Sequence, residues 1–574
     1  MKTSKSSLPL AFLSLFKAAL SAPVLSLTLA AVASSALVAC DDENDPKTWV
    51  KRLDDPAQRA GAIKRLTQFF EDDMTKANKN RDDATVKELL DDIVDPMSKQ
   101  YVAGNLDEKT RKDLMKFLAD TKDPRTGPAL AKALNEYEPG KNDEDVKYAA
   151  KAVEGLAQAK KLTDQNVKDA LWNCFDKFQV SKTKMFELVK SLHDAVVAVS
   201  DPSYGPKAVG KLNAAVDPKN IDSVRDQLQF WQLTAVQVVG ELKFAPAVKP
   251  LVTILLSPTK KDLTATTQNA LLKMGKDAEP VLIAALNGTD KDFAALEAMD
   301  TNKDYVGTIA DTLATISRPA GRDAVLGALA AADNDTNRTL LAAWLTKFPS
   351  DPRLVPAFLA AYKKIPASTT IDRMGGANAH GLLAQQAANF YDPTLTDWLL
   401  KEIAAAKGDD ADAMQLLALE AAIKLMQPAN KSAVQAAVTK EGTDREKDMF
   451  QRAAAVLDKC TSDANCYVGI IDQPIPSSPQ TATMTAAKAA WMAAIYGNGA
   501  TKTALAAKVD KTKNGVARFD LVSALDHLAP NGDTTVASQL DTVVQADTAT
   551  GNKELLMADD VVAKVAARLR ARAQ

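Results

Sequence analysis

Ile221-Asp222-Ser223-Val224-Arg225-Asp226-Gln227-Leu228-Gln229-Phe230-Trp231-Gln232-Leu233-Thr234-Ala235-Val236-Gln237-Val238-Val239-Gly240-Glu241-Leu242 sets its apolar residues at helical spacing. Val224, Leu228, Trp231, Ala235, Val238 and Leu242 follow one another in steps of 4, 3, 4, 3 and 4. Those steps put all six on one face of a 3.6-residue spiral. Phe244-Ala245-Pro246 interrupts the pattern, since proline disfavours helix at the residue before it. A second stripe, Val248, Leu251 and Leu255, then begins. Two amphipathic helices joined by so short a connection must lie antiparallel with their apolar faces together.

The start of that second helix recurs along the chain. Gly127-Pro128-Ala129-Leu130, Gly205-Pro206-Lys207-Ala208-Val209, Ala245-Pro246-Ala247-Val248, Glu279-Pro280-Val281-Leu282, Gly321-Arg322-Asp323-Ala324-Val325 and Val355-Pro356-Ala357-Phe358 are variants of one pattern. From residue 205 onward the starts are 40, 34, 42 and 34 residues apart. Irregular periods of this size suit helical-pair stacks and exclude strict 33- or 34-residue arrays. Asp-Pro recurs at Asp45, Asp55, Asp95, Asp123, Asp201, Asp217, Asp351 and Asp392. An Asp side chain accepts from the free N–H groups of a helix start and proline suits the first turn, so these pairs read as helix starts.

Trp49-Val50-Lys51-Arg52-Leu53-Asp54-Asp55-Pro56-Ala57-Gln58-Arg59-Ala60-Gly61-Ala62-Ile63-Lys64-Arg65-Leu66 and the stretch 238–256 resemble the HEAT/armadillo superfamily. The resemblance implies an all-α fold, a right-handed α-solenoid of antiparallel helix pairs, with repeats over 46–472. The segment 480–574 is then a C-terminal cap or a continuation of the stack. At about 40 residues per unit there is room for roughly 13 units. With helices about 8–10 Å apart, a regular stack would extend on the order of 100 Å and expose one long concave surface.

Composition narrows the function. The chain has 574 residues, 71 basic and 73 acidic side chains and a formal charge of −2, so nucleic acid is not an expected partner. Four Cys and three His leave little for a metal array, and no His-Glu-x-x-His, Gly-x-Ser-x-Gly or Cys/His constellation is present. No catalytic residue and no cofactor is expected.

The N-terminus gives an address. Lys2, Lys5 and Lys17 precede any acidic residue, residues 18–39 are apolar or small, and Leu37-Val38-Ala39-Cys40 closes the run. This end resembles the bacterial lipobox, which implies removal of residues 1–39 and acylation of Cys40. Residues 40–45 form a short acidic tether that reaches at most about 20 Å. Asp41 after the lipidated Cys resembles an inner-membrane retention signal in enteric-type sorting, while other bacteria use different rules. The expected location is a bacterial cell envelope, lipid-anchored and periplasm-facing, with the inner or outer membrane left open.

Three loops offer candidate chemistry. Cys460 and Cys466 flank a short polar loop, and oxidising conditions beyond a membrane favour a disulfide there. Asp300-Thr301-Asn302-Lys303-Asp304 matches the first ligands of a calcium loop, but Tyr305 replaces the required glycine and Asp311 the terminal glutamate. Asp300, Asn302 and Asp304 are therefore a weak calcium candidate, and helix capping is preferred. Gly497-Asn498-Gly499-Ala500-Thr501-Lys502 lacks the glycine-lysine order of a phosphate loop and reads as an inter-helix turn. The doublet Asp559-Asp560 reads as a solvated cap, and Lys564, Arg568, Arg570 and Arg572 as an exposed helix end open to anionic lipid.

The expected function is a membrane-anchored, non-enzymatic scaffold that binds other envelope proteins. The alternatives are an envelope enzyme or subunit with carboxylates in the groove, and a small-ligand or calcium binder.

Overall fold

The structure is a computed structural model that describes residues 42–183, 185–214, 221–299, 304–372, 375–407, 411–471, 479–512, 514–551 and 553–574. Among them are 29 α-helices, from α1 (Pro46–Arg52) to α29 (Lys553–Ala573), and one two-stranded ribbon, β1 (Thr370–Ile371) with β2 (Ala377–Asn378). The fold is an α-solenoid of antiparallel helix pairs.

The deciding stretch forms α10 (Ile221–Glu241), a 3₁₀ turn at Ala245–Ala247, and α11 (Val248–Leu256). Ala235, Val238, Val248 and Leu251 are buried, but the two helices do not face each other as expected: α10 packs on the helices at 204–212 and 264–274, and α11 on the helix at 264–274. The recurring signature opens a short second helix each time: α5 (Gly127–Asn135), α9 (Tyr204–Leu212), α13 (Glu279–Leu286), α16 (Pro319–Ala331) and α18 (Leu354–Lys364). The Asp-Pro pairs start helices or turns at six sites, where Asp45, Asp55, Asp123, Asp201, Asp351 and Asp392 accept the N–H two residues on. Asp95-Pro96 departs from the expectation, since Pro96 sits inside α3 (Ala84–Ala103). Asp217 lies outside the described residues.

Most helices pack on one sequence neighbour and on the helix after next, which makes two layers. One layer runs through α4 (Glu108–Thr121), α6 (Asp143–Gln158), α8 (Phe186–Val199), α10, α12 (Thr264–Met274), α15 (Asp304–Ile316), α17 (Asp335–Leu345), α19 (Ala379–Gln386) and α21 (Ala411–Leu425). It continues through α23 (Asp444–Cys460), α25 (Pro479–Tyr496), α27 (Gly515–Leu528) and α29. Close approach within it depends on Gly240, where a Cβ would fall 2.9 Å from Ala270.

The stack does not run on as an open rod. Helix α29 packs against α12 and α15, so the layer from α12 to α29 meets itself. A layer that closes on itself has the shorter path, so it is the inner one. Gly532, at φ 77°, lets the loop before α28 (Thr534–Thr550) rest on α29, since a Cβ there would lie 2.3 Å from the Leu569 carbonyl. The single concave surface expected along the whole chain is thus confined to the N-terminal half, and the segment 479–574 completes a ring.

One buried charge cluster knits the last three helices. Arg518 of α27 is 0% exposed and donates to Asp547 of α28 at 2.6 Å and Asp559 of α29 at 3.1 Å, while its Nε donates to Thr512 O at 2.6 Å. Asp559 is therefore no solvated cap; burial and the Asp547 charge push its carboxyl above the usual range. Replacing Arg518 by Met leaves two carboxylates buried without their cation, which costs about 3–5 kcal/mol. Arg518→Met is expected to lower the melting temperature clearly, and adding Asp547→Asn with Asp559→Asn to recover part of the loss. An unchanged melting temperature in Arg518→Met would contradict this assignment.

Candidate functional site

A helix end leaves up to four carbonyls without intrahelical partners, and burying them bare is costly. Ring closure buries several such ends, and cations from elsewhere in the ring supply donors. Arg568 of α29 donates to Ala314 O at 3.0 Å and Thr315 O at 3.2 Å, at the end of α15, and to Lys347 O at 2.6 Å beyond α17. Arg572 donates to Asp526 O and Ala529 O, both at 3.1 Å, near the end of α27. In the opposite direction Arg318 donates to Ala571 O at 2.5 Å. Asp526 answers both arginines, accepting from Arg568 at 2.9 Å and Arg572 at 2.6 Å, and they hold its carboxyl low against the effect of burial. The basic C-terminal end, expected to face solvent or lipid, is instead the latch: Arg568 and Arg572 are each 8% exposed.

The same device appears on α25. Lys488 is buried and its ammonium donates to Ile423 O at 3.0 Å, Lys424 O at 2.8 Å and Met426 O at 2.6 Å, at the end of α21. Burial pulls its pKa well below the ordinary lysine value. Sequence reasoning passed over this residue, although Lys488 is the only charged side chain in Pro479–Tyr496. A lone cation in an apolar run was the available signal.

Beside the latch lies a cavity of about 300 Å³. Lys347, Tyr391, Asp526, His527, Lys564 and Arg568 line it together with Thr315, Asn389 and Ser523. Tyr391 holds a left-handed backbone, φ 54°, between two rings: Trp491 of α25 at 4.6 Å and His527 at 4.4 Å. His527 stands in the last turn of α27, where the helix dipole favours a cation. Burial overrides that and holds its pKa down to about 4.

A second, open depression of about 440 Å³ lies on the inner layer of the N-terminal half. Glu154 of α6, His193 and Asp194 of α8, and Gln237 and Glu241 of α10 line it. Asp194 pairs with Lys190 and Glu241 with Lys273. Glu154 accepts from Gln158 at 3.0 Å, and burial with the nearby Asp194 charge raises its pKa.

The residues singled out from sequence fall as follows. Cys40 and the lipobox 37–40 lie outside the described residues, as do Asp300 and Asn302. Asp304 is placed only as the first residue of α15. Cys460 and Cys466 are bridged, with Cα atoms 5.4 Å apart, between α23 and α24 (Ala464–Ile471). Asn498 caps α26 (Gly499–Val509), accepting from Ala500 N at 2.9 Å, and Lys502 pairs with Asp533, so the glycine turn at 497–503 joins two helices. His380 stacks on Tyr362 at 4.1 Å, which ties the glycine ribbon to α18. Cys174 is buried and its thiol is pushed up to about 12. Among the described residues no group of three or more His, Cys, Asp or Glu could hold a metal ion, and no helix is long and apolar enough to cross a membrane.

No family model and no curated protein matches the chain. Among solved structures it is similar to importin beta crystallised in an ammonium sulfate condition, at 10% identity and a TM-score of 0.30, over 92% of this chain and 74% of that one. The solenoid assignment rests on the helix packing described above rather than on that likeness.

The buried histidine makes acid stability specific. Protonation of His527 is easier in the unfolded chain, near 6.5, than in the fold, near 4, so its contribution is complete above 6.5 and is lost as pH falls towards 4. At 1.36 kcal/mol per unit this is at most about 3 kcal/mol. Melting temperatures across that interval should fall less steeply in His527→Gln than in the parent chain, and equal slopes would contradict the buried neutral ring.

Proposed function

We propose that this chain is a lipid-anchored, non-enzymatic scaffold of a bacterial cell envelope, held to the membrane by acylated Cys40 and facing the periplasm. It binds another envelope protein through the inner layer of its open N-terminal half. The observation that carries the reading is the contrast between the two halves. From α12 onward the inner layer is occupied by its own C-terminal helix, while α6, α8 and α10 leave a polar depression open. A solenoid that stops short of closing offers a long surface to a partner segment.

The chemistry of that surface selects the partner. Two of its acids are already paired, and Glu154 is left with an amide donor. A segment carrying lysine, arginine or amide donors suits it. Lys2, Lys5 and Lys17 ahead of the apolar run that ends at Cys40 and the bridged Cys460–Cys466 pair both support an address beyond the inner membrane. The short tether keeps the binding half within about 20 Å of the bilayer at its first helix.

Cross-linking in native envelopes followed by capture of the full chain tests the reading. One reproducible envelope protein should be recovered with the parent chain and lost with Glu154→Lys, and mass spectrometry of the captured chain should place its N-terminus at a diacylglyceryl Cys40. Recovery of no reproducible partner, or of an unprocessed chain from the soluble fraction, would overturn it.

A further inference from the structure

The described chain begins folded against its own first helix. Asp42 Oδ1 accepts from Asn44 N at 2.9 Å and Asp42 O from Asp45 N at 3.0 Å, and Asp45 then caps α1 by accepting from Lys47 N at 2.9 Å. Glu43 lies back over that helix. Its carbonyl accepts from Trp49 Nε1 at 2.9 Å and its carboxylate from Arg52 at 2.9 Å. The Arg52 guanidinium in turn covers the Trp49 ring, 4.3 Å from its centroid. Residues 42–45, expected from the sequence to belong to a free acidic tether, are therefore part of the folded body.

That shortens the leash. Cys40 lies outside the described residues, and only two chain steps separate it from Asp42. Two steps span at most about 7 Å, against about 20 Å for the whole of 40–46. The headgroup region of a bilayer is itself about 5–8 Å deep on each side of the hydrocarbon. A lipid on Cys40 thus leaves Asp42 no room to stand clear of the headgroups, and Glu43 passes the constraint on to Trp49 and Arg52. An indole suits that depth because its ring is amphipathic, and Lys51, exposed beside the half-buried Trp49, can meet lipid phosphate. An ion pair as open as Glu43–Arg52, with its carboxylate 63% exposed, is worth little in water. Among headgroups, where the effective dielectric constant is lower, the same pair is stronger, so seating and clamping reinforce each other.

We propose that Glu43, Trp49 and Arg52 form a mount that seats α1 in the headgroup layer of a lipid surface and fixes the end on which the solenoid stands. The inference rests on the proposed lipid at Cys40 and adds to that reading a defined standoff. Trp49 and Arg52 are positioning residues. The acyl chains hold the protein to the bilayer; the clamp decides that its first helix, rather than another part of the stack, lies against it. Charge alone would not do this. Asp42, Glu43 and Asp45 offset Lys47, Lys51 and Arg52, so residues 42–52 have no net charge with which to attract anionic lipid. The depression on α6, α8 and α10 is then presented to a partner from a pinned end.

Quenching of tryptophan emission by a headgroup-nitroxide lipid tests the mount with its own indole. The chain from Cys40 onward contains the whole described body. Of its other cysteines, Cys174 is buried and Cys460 is bridged to Cys466, so alkylation with a dialkylglycerol reagent falls on Cys40 and supplies the anchor chemically. In phosphatidylethanolamine–phosphatidylglycerol vesicles Trp49 should be quenched, read as the share of quenching that Trp49→Phe removes. Two altered chains should lose that share. Glu43→Ala with Arg52→Ala opens the clamp, and an insertion of about ten Gly/Ser residues between Cys40 and Asp41 lengthens the leash by on the order of 17 Å. The insertion leaves the folded body untouched and should melt with the parent. No Trp49 share in the parent, or equal shares in the parent and either altered chain, would overturn the proposal. Because the lipid is attached in vitro, these outcomes are independent of whether native Cys40 is acylated, which mass spectrometry of the envelope chain decides separately.

Discussion

The leftover carbonyls at helix ends are what a curled helical stack must satisfy before it can close. An open solenoid leaves them in water, where solvation costs nothing. Closing the inner layer from α12 to α29 removes that water from the end of α15, where Arg568 takes over as donor, and along the stack Lys488 and Arg572 do the same at the ends of α21 and α27. A cation at a helix C-terminus also meets the negative end of the helix dipole, an interaction that gains strength when partly buried. Breaking one such contact would leave bare carbonyls and an uncompensated Asp526 together, so the latch is more cooperative than its separate bonds suggest.

Much of this architecture is written in local pattern. The stripe from Val224 to Leu242, the break at Pro246 and the restart at Val248 give α10 and α11 almost to the residue, because amphipathic spacing and proline act within a few residues. The Asp-Pro starts follow for the same reason. Closure is legible only in part, since it depends on which residues meet after some 250 intervening positions. Arg568 and Arg572 look like any basic helix end, and Asp559 like any solvated doublet, until α29 is seen to return to α15. Lys488 left a faint trace, a single charge among apolar neighbours, which hydropathy patterning discounts. The Tyr391 wall left none, because a left-handed aromatic is a consequence of tertiary fit.

The two halves divide the labour. The N-terminal half keeps its inner layer open and carries the polar depression of Glu154 and His193, which suits it to a partner. The C-terminal half spends its inner layer on itself and becomes a compact ring with a small polar cavity at the seam. Such a ring provides a stiff end for the open half. It also couples seam to cavity, since Arg568 contributes to both the latch and the lining.

Closure itself is best tested with spin labels across the seam. Lys276 N donates to the Gln574 side chain at 3.4 Å, so cysteines at Lys276 and Gln574 place a label on each side. The native cysteines do not interfere, because Cys174 is buried and Cys460 is bridged to Cys466. A closed ring predicts strong dipolar coupling with a short, narrow distance distribution, abolished when Arg568 and Arg572 are both replaced by Met. A long or broad distribution in the parent protein would contradict the closure on which this account rests.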